Sequence, residues 1–202
     1  MERHELTAAM FEAVAVLLTE KRMLLKAGTM VDATIIAAPS STKNTAQARD
    51  PEMKQIRKGQ QWYLGMKVHV GTDTRGIVHS LTTTDAAQAD ITQLTHCVRG
   101  SETTLFGDKA YYKTEHKRHW EESGGRYRVN KSGQRTAHGD RVNAARSRTR
   151  ARGEHAFNVV KRLWGFAKVR YRGLAKNTTR AFAAFALANL YLLRHRLAPQ
   201  ST

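Results

Sequence analysis

Two runs of strict alternation, separated by a glycine-bounded turn, constrain this chain most. Trp62, Leu64, Met66, Val68 and Val70 alternate with Tyr63, Gly65, Lys67 and His69. Gly71-Thr-Asp-Thr-Arg-Gly76 follows, and Ile77 to Thr84 returns. Side chains along a strand switch faces at every residue, so this pattern specifies a β-hairpin with one buried face. Upstream, Thr29 to Ile36 is rich in Val, Ile and Thr, reads as a strand, and ends at Pro39. Three consecutive strands that can pair antiparallel fix one half of a sheet.

Downstream the pattern changes to strands alternating with helices. A helix is expected near Asp90, with Asp90 as its cap. Thr103 to Gly107 reads as a strand and residues 112–122 as a short basic helix stopped by Ser123-Gly-Gly125. Tyr127 to Asn130 reads as a fifth strand, followed by a polar stretch containing Gly133 and Gly139. A long helix is expected over 141–163, a short strand over 168–171, and a final helix from about Asn177. Residues 5–27 read as a leading helix ended by Gly28, and residues 40–61 as a long polar loop. The order implies an α/β fold: a mixed sheet of about five strands flanked by helices. In domain terms the expectation is a helical lead-in over 1–27, a mixed-sheet domain over 28–175 that would carry any active site, and a C-terminal helix over 176–202 packed on the core.

Charge narrows the partner. The 202 residues carry 34 Lys and Arg against 17 Asp and Glu, a formal net charge of +17. Such an excess points to a polyanion, most simply nucleic acid. No apolar run reaches the roughly 20 residues a membrane span needs, so no membrane partner is expected. The start at Met1 lacks the layout of a signal peptide. The single Cys97 leaves no intrachain disulfide framework and no multi-cysteine zinc site. These features fit the cytoplasm.

Three acids carry the chemistry. Asp32 sits mid-strand, on the face shared by Met30, Thr34 and Ile36. A carboxylate among apolar neighbours is costly unless it is paired or bound to metal, although a solvated or backbone-bonded Asp would also satisfy the pattern. Asp108 follows the strand ending at Gly107, where open sheets place ligand groups, and it is equally a good helix N-cap. Glu154 lies on the expected long helix with Arg150 and Lys161 within an arc of about 40°. Phe157 and Trp164 lie alongside, and Ala156, Val159, Val160 and Leu163 form a separate apolar face. An exposed Arg150–Glu154 pair would explain Glu154 equally well. Together the three acids offer what phosphodiester cleavage needs. Two metal ions about 4 Å apart activate a water and stabilise the leaving oxygen, and magnesium accepts an all-oxygen ligand set.

Other candidates read as structural. His69 and His79 suit strand-surface or core positions better than metal ligation. Asp73 and Asp85 suit turns or caps, Asp50 lies in the long loop, and Cys97 reads as a small core residue. Trp62, Trp120 and Trp164 read as packing groups, with base stacking a lesser option for Trp164.

These motifs resemble the DDE transposases of bacterial insertion sequences, in particular insertion-sequence family five. Gly28 to Asn44 resembles that family's first-Asp block. Asp50-Pro-Glu-Met53 and Trp62 to Asp73 resemble the next block, and Gly107-Asp-Lys-Ala-Tyr111 the second-Asp block. Arg150-Ala-Arg-Gly-Glu-His-Ala-Phe157 with Lys161 resembles the helix signature. The likeness runs from about residue 4 to residue 197. It implies an RNase H-like fold, with Mg2+ or Mn2+ held by Asp32, Asp108 and Glu154. It also implies cleavage and strand transfer of double-stranded DNA, at transposon ends and target, by a homo-oligomer assembled on DNA at the bacterial nucleoid. Arg150, Lys161 and Lys109 would contact DNA. Ser147 stands where the related signature often has Tyr, so contacts to the transposon end are expected to differ. Family members usually carry a further N-terminal helical region, so the chain reads as an N-terminally truncated, C-terminal catalytic part. A non-catalytic DNA-binding remnant and a general RNase H-like nuclease are the alternative readings.

Overall fold

A computed structural model of the chain describes residues 6–45, 47–131 and 137–198. The elements run α1 (Leu6–Glu20), β1 (Gly28–Ala37), β2 (Lys54–Lys58), β3 (Gln61–Thr72) and β4 (Val78–Asp85). A 3-10 turn (Asp90–Gln93) then leads into α2 (Leu94–Cys97), followed by β5 (Thr104–Gly107), α3 (Thr114–Glu122) and β6 (Arg126–Val129). Last come α4 (Ala137–Arg150), α5 (Glu154–Asn158) with a π-helical turn (Val159–Leu163), and α6 (Leu174–Leu197).

Six strands form one mixed sheet in the order β2-β3-β1-β5-β6, with β4 also paired to β3. The β1–β3, β2–β3 and β3–β4 pairs are antiparallel; β1–β5 and β5–β6 are parallel. This is the mixed, helix-flanked RNase H-like arrangement the sequence implied. Alternation along β1 divides the core between the two faces. Ile36 joins Met66, Val68, Val70, Phe157, Val160 and Phe185 on the side covered by α5 and α6. Val31 joins Leu94, Cys97, Leu105, Tyr111 and Tyr127 on the side covered by α2 and α3. The long helix α6 is fixed by a buried amide: Val78 N donates to Asn189 Oδ1 at 2.9 Å, and Asn189 Nδ2 donates to Val78 O at 2.7 Å. Helix α1 lies along α6, with Phe11 edge-on to Phe182. No helix among the described residues is long and apolar enough to cross a membrane.

Several local expectations are corrected. The loop expected over 40–61 contains β2 and the start of β3. Helix α1 ends at Glu20, and Gly28 opens β1. Asp90 is not a cap; Ala89 holds that position, and Asp90 pairs with Lys67 at 2.8 Å. The strand expected over 168–171 is a single bridge, Ala37 to Lys168. Helix α4 begins at Ala137 and takes in Gly139, whereas Gly133 lies outside the described residues.

The helix expected over 141–163 is interrupted at Ala151–Gly153, where tight bonds run from Arg152 N to Thr149 O and from Gly153 N to Arg150 O. The interruption rests on the β3–β4 turn. A Cβ at Gly76 would lie 2.2 Å from Arg152 O, so only glycine, here at φ 89°, admits that carbonyl. Beyond it the π turn changes which side chains face inward. Phe157, expected beside the acid-bearing face, is buried against Phe185, and Leu163 is 61% exposed rather than part of the apolar face.

Candidate functional site

Strand register brings two of the acids together. The last parallel pair of β1 and β5 joins Met30 to Phe106. Two residues further along each strand path, just past the last paired residues, stand Asp32 and Asp108. β5 stops at Gly107, which leaves this edge of β1 open beside the two carboxylates. Both acids border a cleft of about 190 Å³, together with Asp90, Lys67, Arg57 and Lys58.

Asp32 is half-buried, on the face that α5 covers. Its Oδ1 accepts a hydrogen bond from Ala33 N at 2.8 Å, and its Oδ2 lies 4.0 Å from Arg150 Nη2. Burial dominates its ionisation and pushes the carboxyl up to about 6. Arg150 and the Ala33 N–H oppose that shift, while the negative charges of Asp108 and Glu154 reinforce it. Asp108 caps the short turn Lys109–Tyr111, its Oδ1 accepting from Ala110 N at 2.8 Å. The cap reading of Asp108 therefore holds, and the residue still borders the cleft. Glu154 opens α5 and is exposed. It reaches Asp32 through charge but does not line the cleft. Among the described residues, no group of three His, Cys, Asp or Glu side chains is gathered as metal ligands.

The basic residues take different roles. Arg150, the last residue of α4, lies against Asp32; among the described residues its buried Nε has no hydrogen-bond partner. Lys161 is half-buried on β1, where Nζ donates to Thr34 Oγ1 at 3.0 Å and to Ile35 O at 3.2 Å. Burial, helped by the nearby charge of Lys58, holds its pKa below the usual lysine range. It straps the π turn to the strand that carries Asp32. Lys109 is exposed immediately after Asp108.

Sequence reasoning missed the Lys67–Asp90 pair and the contribution of Arg57 and Lys58 to the cleft. Asp90 and Lys67 are 23 residues apart in sequence, and neither interrupts a recognisable pattern. The two histidines are buried hydrogen-bonding residues. His69 Nε2 meets Thr84 Oγ1 at 2.9 Å, and His79 meets Thr29 Oγ1 at 2.9 Å and Ser80 Oγ at 2.8 Å. Cys97 is fully buried, which pushes its thiol up to about 12. Trp62, expected to pack, is 63% exposed.

With this geometry in place, comparison with known families is informative: a family model described as "Transposase DDE domain" matches residues 24–190, from just before β1 into α6.

Proposed function

The chain belongs to the transposase DDE domain family, and on that footing we propose that it cleaves and transfers DNA strands as a DDE transposase of insertion-sequence family five. Asp32, Asp108 and Glu154 are its acids. One observation supports this reading: Asp32 and Asp108 border one cleft just past the last β1–β5 pair, and the charges of Asp108 and Glu154 both act on the Asp32 carboxylate.

The donor set fits a hard divalent cation. It is all oxygen, and Asp32 is a desolvated carboxylate that, among the described residues, commits only one of its oxygens to a backbone N–H. Mg2+, or Mn2+ in its place, would be held by Asp32, Asp108 and Glu154. When bound, the ion supplies an activated water and a stabilised leaving oxygen. The other residues hold and orient DNA. Arg150, whose Nε–H has no partner among the described residues and lies beside Asp32, suits a phosphate oxygen. Lys109 offers an exposed cation beside Asp108, and Lys161 fixes the strand beneath Asp32. In cleavage, a water oxygen bonds to phosphorus as the phosphorus–sugar oxygen bond breaks, the sugar oxygen keeps that electron pair, and the proton the water gives up is balanced by one taken up at the sugar oxygen, which leaves as a hydroxyl. In strand transfer, the freed hydroxyl takes the place of water. Transposon ends and target are the duplex substrates, met at the bacterial nucleoid by a homo-oligomer that assembles on DNA.

The test is Mg2+-dependent nicking of a duplex bearing the element's terminal repeat. Glu154→Gln should abolish nicking and leave DNA affinity equal or higher, because one negative charge facing phosphate is lost. Normal nicking by that variant would make Glu154 a helix-surface residue. Wild-type protein that binds DNA but never nicks it would favour the non-catalytic reading.

A further inference from the structure

The hairpin formed by β2 and the first half of β3 has an unusual composition for its position. Lys58 pairs with Gln61 around Gly59 and Gln60, and Gly59 at φ 64° supplies the glycine-first turn that closes such a hairpin. Lys54, Gln55, Arg57, Lys58, Gln61 and Trp62 are exposed, so the arm contributes little to the core. A tryptophan left 63% exposed forgoes most of the gain from burying an indole. That tryptophan stands directly across the ladder from Arg57. Arg57 and Lys58 line the cleft that holds Asp32 and Asp108, and the charge of Lys58 reaches Lys161, which is bonded to Thr34 and Ile35 of β1.

We infer that this hairpin is an arm that holds unpaired DNA at the acid cleft, with Arg57 and Lys58 on phosphates and Trp62 stacked on a base. The inference rests on the reading of the cleft as a DNA-cleaving site. Charge complementarity selects the partner: two cations lead from the arm into a cleft whose acids would act on a phosphodiester. Chemistry selects an unpaired strand over a duplex as the partner of the indole. In a duplex the base faces are already stacked, whereas an unpaired base leaves one free for the indole.

The experiment measures fluorescence anisotropy of labelled oligothymidine and of a labelled duplex on the full chain, with EDTA present to prevent cleavage. Trp62→Ala should weaken single-strand binding about tenfold and change duplex affinity by less than about twofold, the loss being one stacked base and no charge. Trp62→Phe, which keeps an aromatic face, should retain most of the affinity. The double variant Arg57→Gln, Lys58→Gln should flatten the salt dependence of single-strand binding by about 0.7 per lost phosphate contact. Intrinsic tryptophan fluorescence should be quenched by oligothymidine in the wild type and much less in Trp62→Ala.

Wild-type protein that nicks duplex DNA, with Trp62→Ala binding single strands normally, would overturn the arm and leave the cleft reading intact. Wild-type protein that neither binds nor nicks DNA would overturn both. If Trp62→Ala changes self-association by size-exclusion chromatography and not oligothymidine affinity, the indole is a contact between copies of this chain and the arm is wrong.

Discussion

Asp73 and Asp32 are both acids of the same sheet, withdrawn from water, and they are treated in opposite ways. Asp73 is fully buried in the β3–β4 turn. Its Oδ1 accepts from Arg75 N at 2.8 Å and Ile77 N at 3.0 Å, and its Oδ2 accepts from Leu25 N at 2.9 Å. Asp32 is less buried, but among the described residues it has only Ala33 N as a close donor, and its second oxygen faces Arg150 at 4.0 Å. Asp90, in the same cleft, is neutralised by Lys67. Burial alone therefore does not mark a reactive acid here. The distinguishing property is acceptor capacity left over after the fold has taken its share. Asp73 spends its capacity on holding the turn and the α1–β1 connection together, and Asp32 keeps the capacity that the proposed cation site requires of it.

The largest expected effect lies on the structural side of this contrast. Burial lowers His69 to about 4 and His79 to about 3. Below pH 6.5 the unfolded chain binds protons that the folded chain refuses, so stability falls as pH drops toward 4. The loss should be roughly 3–5 kcal/mol between pH 7 and pH 4, read by urea unfolding. His79→Gln should flatten that slope; an unchanged slope would mean that His79 titrates normally in the fold.

Asp73→Ala comes next. It strips acceptors from three backbone N–H groups and should cost about 3 kcal/mol, lowering the melting temperature by roughly 10 °C. Asp32→Asn should do the reverse. Because the carboxyl of Asp32 is raised to about 6, its charge burdens the folded state above pH 6 and not below pH 4. The variant should therefore gain about 1–2 kcal/mol at pH 8 and nothing at pH 4. A loss at pH 8 would place Asp32 in the same class as Asp73. The smallest effect is that of Lys161→Met, which removes the strap to Thr34 and Ile35 and should cost about 1 kcal/mol. If the salt dependence of DNA binding instead falls by about one unit with stability unmoved, Lys161 leaves β1 for phosphate when DNA binds.

Legibility in the sequence followed the range of the forces involved. β1, β3 and β4 were readable because alternation is local, and Asp73 was readable as a turn residue for the same reason. β2 was not, because Lys54-Gln-Ile-Arg-Lys58 is solvated on both faces and shows no alternation of burial. The continuous helix failed at Ala151–Gly153, whose break depends on Gly76 some 75 residues earlier in the chain. The π turn that follows carried Leu163 outward, which no fixed 3.6-residue period describes. At the site, the three proposed acids stand in recognisable motifs. The cleft shared by Asp32 and Asp108, the Lys67–Asp90 pair and the anchoring of Lys161 to β1 arise from pairings between distant segments.

On the proposed reading Asp32, Asp108 and Glu154 act as one cation site. Electron paramagnetic resonance of Mn2+ titrated into the DNA-bound protein tests it without requiring turnover. The bound-ion signal should appear in the wild type and in Asp90→Asn, and fall sharply in each of Asp32→Asn, Asp108→Asn and Glu154→Gln. An undiminished signal in any one of those three folded variants would remove that acid from the site and contradict the claim.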